Sequence, residues 1–434
     1  MKGKSTAIIL GAIIVILAAA LVLVLVYIIN QPEQVRGVAP LIAIENQEPD
    51  SSKWGVNFPN QYSTFQLTKN NETRTTFGGS EQFSRLEENP RLLELFAGYP
   101  FSIEYNEDRG HLNALTDVRE IDRINEKSAG TCYSCKSADN PRLWNEMGMA
   151  EFDKTLFKDL GQHIDEPIGC ANCHEANTMR LIVTNPALDE ALKAQGKDWR
   201  TFTRQEMRTV VCANCHVEYY FEGEGKYLTF PWSGGTRIEN ISEYYANEGF
   251  KDWEHPQSGA AMVKMQHPEY ELFTADSTHY KAGVACADCH MPYTRDGAAK
   301  FSTHDVKSPL LNAETACGAC HTDVGYVTSR VATIQGQVSQ TMVATEEAII
   351  AAIGAIEAAA AAPDVDETLL AEARNLHREA QLRWDFLSAE NSMGFHNPEE
   401  ALRILAAATD LARQAQLKAI QASGTMDVFQ TSSQ

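Results

Sequence analysis

The chain has 434 residues, enough for one large domain or two modest ones, and carries a formal net charge of −21. That acidic balance argues against nucleic acid as a partner. An even count of ten cysteines would suit a disulfide framework, but here they fall into five Cys-x-x-Cys pairs with none left over.

From the N-terminus, the segment Ser5 to Ile29 carries no charge and is almost wholly apolar. As a helix it would rise roughly 37 Å, more than the ~30 Å hydrocarbon core of a bilayer. Lys2 and Lys4 precede it, so the positive-inside rule predicts a single-pass anchor in the cell membrane with everything after about residue 30 on the extracytoplasmic, periplasmic side. A cleaved signal peptide fits less well, because Tyr27-Ile-Ile-Asn-Gln-Pro is a poor cleavage context. Residues 1–30 are therefore expected to be the anchor and 31–75 a linker and N-terminal extension. Residues 76–330 would form a pentahaem region, 331–425 a set of long helices, and 426–434 a tail.

The pairs are Cys132/Cys135, Cys170/Cys173, Cys212/Cys215, Cys286/Cys289 and Cys317/Cys320. In four of them the next residue is a histidine: His174, His216, His290 and His321. Cys-x-x-Cys-His attaches a c-type haem: two thiols form thioether bonds to it, and the adjacent imidazole ligates iron from one face. Zinc sites do not call for the following histidine. In the first pair that residue is Lys136, and an amine binds iron only when neutral, which burial and the metal favour. Five haem c groups are expected.

Between Asp50 and Gly325 the chain is rich in Gly, Pro and Asn, which predicts loops and short helices wrapped around haem, with Ser80 to Phe96 among the helix-rich stretches. After Val327 apolar residues recur at helical spacing: Ile349, Ile353 and Ile356, then Leu369, Ala373, Leu376, Ala380, Trp384 and Leu387, then Ile404, Ala408, Leu411, Ala415 and Ala419. Asp366 is a predicted N-cap, and Asn397-Pro398-Glu399-Glu400 reads as cap, N1 proline and acidic first turn. The fold class is thus mainly α, a multihaem c-type cytochrome with loops and short helices around five haems. A C-terminal bundle of long helices closes it, packing on the haem core and offering a dimer interface.

Four of the twelve histidines are spent on the motifs, leaving His111, His163, His255, His267, His279, His304, His377 and His396. Four bis-histidine haems would take four of these, while a catalytic haem would keep one face open to substrate.

With the lysine motif among four histidine motifs, the chain resembles the ammonia-forming cytochrome c nitrite reductases over about residues 75 to 400. Supporting stretches are Leu95 to Phe101, Arg109-Gly110-His111, Cys212 to Phe221, and Lys264 to Tyr270. The resemblance implies that Lys136 is the proximal ligand of the catalytic haem and that Arg123, Tyr219 and His267 form its distal pocket. It implies a calcium site at Glu218, Tyr219, Lys264 and Gln266, the middle two through backbone carbonyls. Distal ligands would be His111 for the haem on Cys212/Cys215 and His304 for that on Cys170/Cys173. His396 would serve Cys286/Cys289, and His279 would serve Cys317/Cys320. Arg119, four residues before Arg123, is the alternative pocket cation. His163, His255 and His377 are left as surface or hydrogen-bonded histidines.

The implied reaction is six-electron reduction of nitrite to ammonium, with a membrane quinol-oxidising multihaem cytochrome as electron donor and a homodimer as the unit. The competing readings are a reductase of another small nitrogen or sulfur species, such as hydroxylamine or sulfite, and a non-catalytic electron relay.

Overall fold

The computed structural model describes residues 40–107 and 109–424, together with residues 11, 13–14, 16–22 and 24. The chain divides into two units, Met1–Ala43 and Ile44–Gln434, and every motif cysteine lies in the second.

The membrane-anchor expectation is corrected. Among the described residues no helix is long and apolar enough to cross a membrane. The anchor over residues 5–29, and the cell-membrane and periplasmic placement drawn from it, are not supported; much of that segment lies outside the described residues.

The second unit opens with α1 (Ser51–Asn57) and α2 (Pro59–Gln66), where Asp50 caps α1 by accepting from the Ser52 amide and Pro59 starts α2. Beyond them the chain is built from short pieces. The stretch Ser80 to Phe96 forms two four-residue helices, Arg85–Glu88 and Leu92–Leu95, with Pro90 between them. Among the described residues the sheet content is three two-stranded antiparallel hairpins: β1 (Tyr220–Glu222) with β2 (Tyr227–Thr229), β3 (Trp253–Glu254) with β4 (Ala261–Met262), and β5 (Tyr293–Asp296) with β6 (Ala299–Ser302).

Three long helices close the chain: α3 (Val324–Ala360), α4 (Glu367–Ala389) and α5 (Pro398–Ala422). The Asp366 side chain accepts from the Thr368 and Leu369 amides and Asn397 from Glu400, so both expected caps form. Ile349, Ile353 and Ile356 of α3, Ala373, Ala380 and Trp384 of α4, and Ile404, Ala408 and Ala415 of α5 are buried along the shared seam. Alanine at so many of these positions leaves the helices room for close approach. The part of the seam formed by Ile349, Ile353, Ala380, Trp384, Ile404 and Ala408 continues into Leu92, Leu95, Phe96, Trp253 and Met265, so bundle and haem region share one core, while Ile356 and Ala373 belong to a separate cluster. A second cluster, from Leu115 to Trp232, packs against Cys132 of the first pair, and a smaller one around Trp54 packs against Cys170 of the second.

Candidate active site

All ten cysteines are free of disulfides, as thioether attachment requires. Each of the first three motifs sits on a tight 3₁₀ turn: Gly130–Tyr133, Cys170–Asn172 and Val211–Asn214. The turn folds the residue after the second cysteine back over the first. The His174, His216 and His321 amides each donate to the carbonyl of the first cysteine of their motif, at 2.9–3.0 Å. The motifs also touch one another. The Cys135 thiol contacts Cys215, and Cys212 contacts Cys286.

The histidines expected to be axial ligands fall into pairs. Two imidazoles bound trans to one iron at about 2 Å would have ring centroids roughly 6.2 Å apart. The observed separations are 6.3 Å for His174 and His304, 6.2 Å for His290 and His396, and 6.4 Å for His279 and His321. In several of these rings Nδ1 is already committed. It donates to Met179 O from His174, Lys307 O from His290, Ser302 O from His304 and the Glu390 carboxylate from His396, at 2.9–3.1 Å. With Nδ1 protonated, the Nε2 lone pair is left for a metal, and the ring orientation is fixed.

His216 and His267 also stand 6.4 Å apart, but their geometry differs. Both Nδ1 atoms face one buried carboxylate, Glu269, at 3.7 and 3.9 Å. A haem between two trans imidazoles would separate those edges, so His216 and His267 cannot share one. His111, the other expected partner of His216, has its pKa lowered by burial and then by the charge of His216, which puts the two within electrostatic reach. For Glu269 itself, burial pushes the carboxyl up, but His216 and His267 outweigh it and hold the group below the usual carboxylate range.

Two of the expected pocket residues, Arg123 and Tyr219, lie within electrostatic reach of the first motif. The Lys136 charge acts on Cys132, Cys135 and His111. Arg123 stacks over Phe101 at 3.8 Å, and its Nε is buried with no hydrogen-bond partner. Burial pushes the Tyr219 phenol well up; the Cys135 and Cys132 thiols add to this, while Arg123 opposes it. Arg119 is engaged elsewhere, donating to Gly161 O at 3.1 Å and Ile164 O at 2.6 Å and lying over Tyr133. Of the two arginines, Arg123 is the one whose charge reaches Tyr219.

The residues expected to bind calcium also come together. The Glu218 side chain accepts from the Tyr245 hydroxyl at 2.7 Å and the Gln266 amide at 2.6 Å, and the Gln266 side-chain amide donates to Lys264 O at 3.1 Å. Both donors to Glu218 are neutral, and burial pushes its carboxyl well up. A buried carboxylate beside backbone and amide oxygens is a hard donor set that suits calcium. Among the described residues no group of three or more His, Cys, Asp or Glu is placed to hold a metal.

Residues 50–433 match the cytochrome c552 family model. The chain belongs to the cytochrome c552 family. Among cytochrome c552 relatives, cytochrome c-552 of Parabacteroides distasonis is 40% identical over 379 residues, covering 85% of this chain and 76% of that one. The cytochrome c nitrite reductase subunit NrfA of Nitratidesulfovibrio vulgaris is 38% identical over 410 residues, covering 85% and 78%. The solved cytochrome c nitrite reductase of Desulfovibrio desulfuricans, whose catalytic subunit is described with two calcium sites, superposes with a TM-score of 0.83 at 36% identity over 88% of each chain. The mainly α multihaem cytochrome fold, the haem c cofactor and the oxidoreductase class read from the sequence are borne out.

Sequence reasoning missed four carboxylates that hold this cytochrome's site: Glu269, Glu271, Glu390 and Asp385. Glu271 accepts from the Glu218 amide and the Trp232 indole, both at 2.8 Å. Glu269 lies inside the quoted stretch Lys264 to Tyr270, two residues from His267, so its place in the motif was a usable signal. Asp385, on α4, had none.

Proposed function

We propose that this chain reduces nitrite to ammonium at a haem whose proximal ligand is Lys136. The proposed feeding haems are ligated by His174/His304, His216/His111, His290/His396 and His321/His279. The observation that carries the reading is Arg123: a guanidinium with a buried, unpartnered Nε, within electrostatic reach of Tyr219 and of Cys132 in the one motif without a histidine. An electron relay has no use for such a group. Nitrite is the substrate of choice because the relatives named for nitrite reduction match over most of both chains.

When bound, the haem groups supply electron transfer and one open iron face for the substrate nitrogen. The protein's own residues do the rest. Arg123 offers a local positive charge to an anion approaching a strongly acidic molecule. Taking nitrogen from +3 to −3 consumes six electrons and eight protons and releases two waters. In this reading His267 and Tyr219 donate hydrogen bonds and protons to the departing oxygens. Calcium, in this reading, is held by the Glu218 carboxylate, the Tyr219 and Lys264 carbonyls and the Gln266 side chain, which fixes the backbone carrying Tyr219.

By the same resemblance the electron donor would be a quinol-oxidising multihaem cytochrome and the functional unit a homodimer, which sedimentation of the holoprotein would test. The decisive experiment is electron paramagnetic resonance of the oxidised protein with and without nitrite, alongside an ammonium assay driven by reduced methyl viologen. A high-spin ferric signal perturbed by nitrite, with ammonium as product, is expected. Only low-spin signals and no nitrite response would turn the reading to an electron relay.

A further inference from the structure

Glu269 is 8% exposed, and neither of its oxygens has a hydrogen-bond partner. Each oxygen instead faces a different imidazole, Oε2 toward His216 Nδ1 at 3.7 Å and Oε1 toward His267 Nδ1 at 3.9 Å. The backbone holds the three in register: the His267 amide donates to Val217 O, the Glu269 amide to His267 O and the Tyr270 amide to His216 O, at 2.9–3.3 Å. Imidazole χ2 is a soft torsion, so a modest ring rotation turns either contact into a charge-assisted hydrogen bond.

We propose that Glu269 is a positioning residue common to two imidazoles, setting the potential of the haem on His216 and the alignment of His267 over the substrate. This rests on the ligand and pocket roles proposed above. A carboxylate behind a metal-bound imidazole raises its basicity and favours the oxidised iron, so it lowers the potential. The same carboxylate turns the His267 Nδ1 edge toward itself and leaves Nε2 for the pocket. One side chain thus serves an electron-transfer ligand and the substrate-side acid together, a link that no separate pair of partners would provide.

The test compares wild-type holoprotein with Glu269→Gln, which keeps the shape and removes the charge, and with Glu269→Asp, which keeps the charge and guards against a folding defect. Redox titration followed by electron paramagnetic resonance is expected to show one low-spin haem shifted to higher potential in Glu269→Gln and the others unmoved. Nitrite kcat should fall about 10- to 100-fold with KM changed no more than about twofold, and Glu269→Asp should recover part of both. Unchanged potentials, or an unchanged kcat, in Glu269→Gln overturns the proposal. A wild-type protein that makes no ammonium sinks the functional reading instead, because the potential shift is read without substrate.

Discussion

Lys264 Nζ lies 2.9 Å from Asp385 Oδ1, with the two side chains 1% and 0% exposed. The other carboxylate oxygen, Oδ2, accepts from the Met265 amide at 2.8 Å. The ammonium also lies 5.0–5.4 Å from the ring centroids of Phe96, Phe101 and Tyr105. The segment bearing Gln266 and His267 is therefore tied to α4 by a buried ion pair, and the aromatic cage carries Arg123 on its outer ring, Phe101. Removing one partner of such a pair leaves the other charge buried and alone. Asp385→Ala should cost about 3–5 kcal/mol in denaturant unfolding and lower nitrite turnover with it.

The two arginines near the first motif should separate cleanly. Arg123→Ala is expected to lower kcat/KM for nitrite by about 10²–10³-fold, as loss of a preorganised donor to a reacting anion does. Arg119→Ala removes bonds to two backbone carbonyls and should cost about 1–3 kcal/mol of stability while leaving kcat/KM within a few-fold of wild type. Steady-state kinetics on both variants decides it, and the reverse ranking would make Arg119 the pocket cation.

Lys136→His should keep its haem attached, since both thiols remain, yet change turnover; equal nitrite turnover in that variant would remove Lys136 as ligand. His267→Ala should lower nitrite reduction by roughly 10²-fold or more with the low-spin signals of the four other haems intact. Loss of a low-spin signal would instead make His267 an axial ligand.

Calcium chelation of the holoprotein should suppress nitrite turnover, and added calcium should restore it. Glu218→Gln should weaken calcium binding by about tenfold or more, read by calorimetry, because it removes the one carboxylate of the set.

A carrier of pH sensitivity lies away from the haem motifs. His377 is buried against Ser258, Gln381 and His255, and burial, then the charge of His255, lowers its pKa from 6.5 to about 3. The unfolded chain binds this proton below about pH 6.5 and the folded chain only below about 3. Stability is therefore complete above that upper value and falls as pH drops through the window, by up to about 1.4 kcal/mol per pH unit. Urea unfolding at pH 7 and pH 5 measures the slope, and His377→Gln should flatten it.

What the sequence made legible was local. Each motif announces its own attachment because the cysteines and the following ligand are neighbours on one turn, and the caps at Asp366 and Asn397 act within three residues. The pairing of His174 with His304 spans 130 positions, and no spacing rule carries that far; only the resemblance supplied it. Ser80 to Phe96 read as helix-rich and forms two short helices, because Pro90 interrupts the run. The carboxylates behind the site, Asp385 above all, were illegible because a buried ion pair is fixed by tertiary packing and leaves no mark in local pattern.

The order of synthesis gives the long helices a further meaning. The last attachment cysteine is Cys320, whereas Asp385, Glu390 and His396 all come later in the chain. A nascent protein could therefore acquire every haem before the brace on Lys264 or the Glu390–His396 contact exists. Haem loading during synthesis would thus precede the closing of these C-terminal contacts on the segment that bears Gln266 and His267.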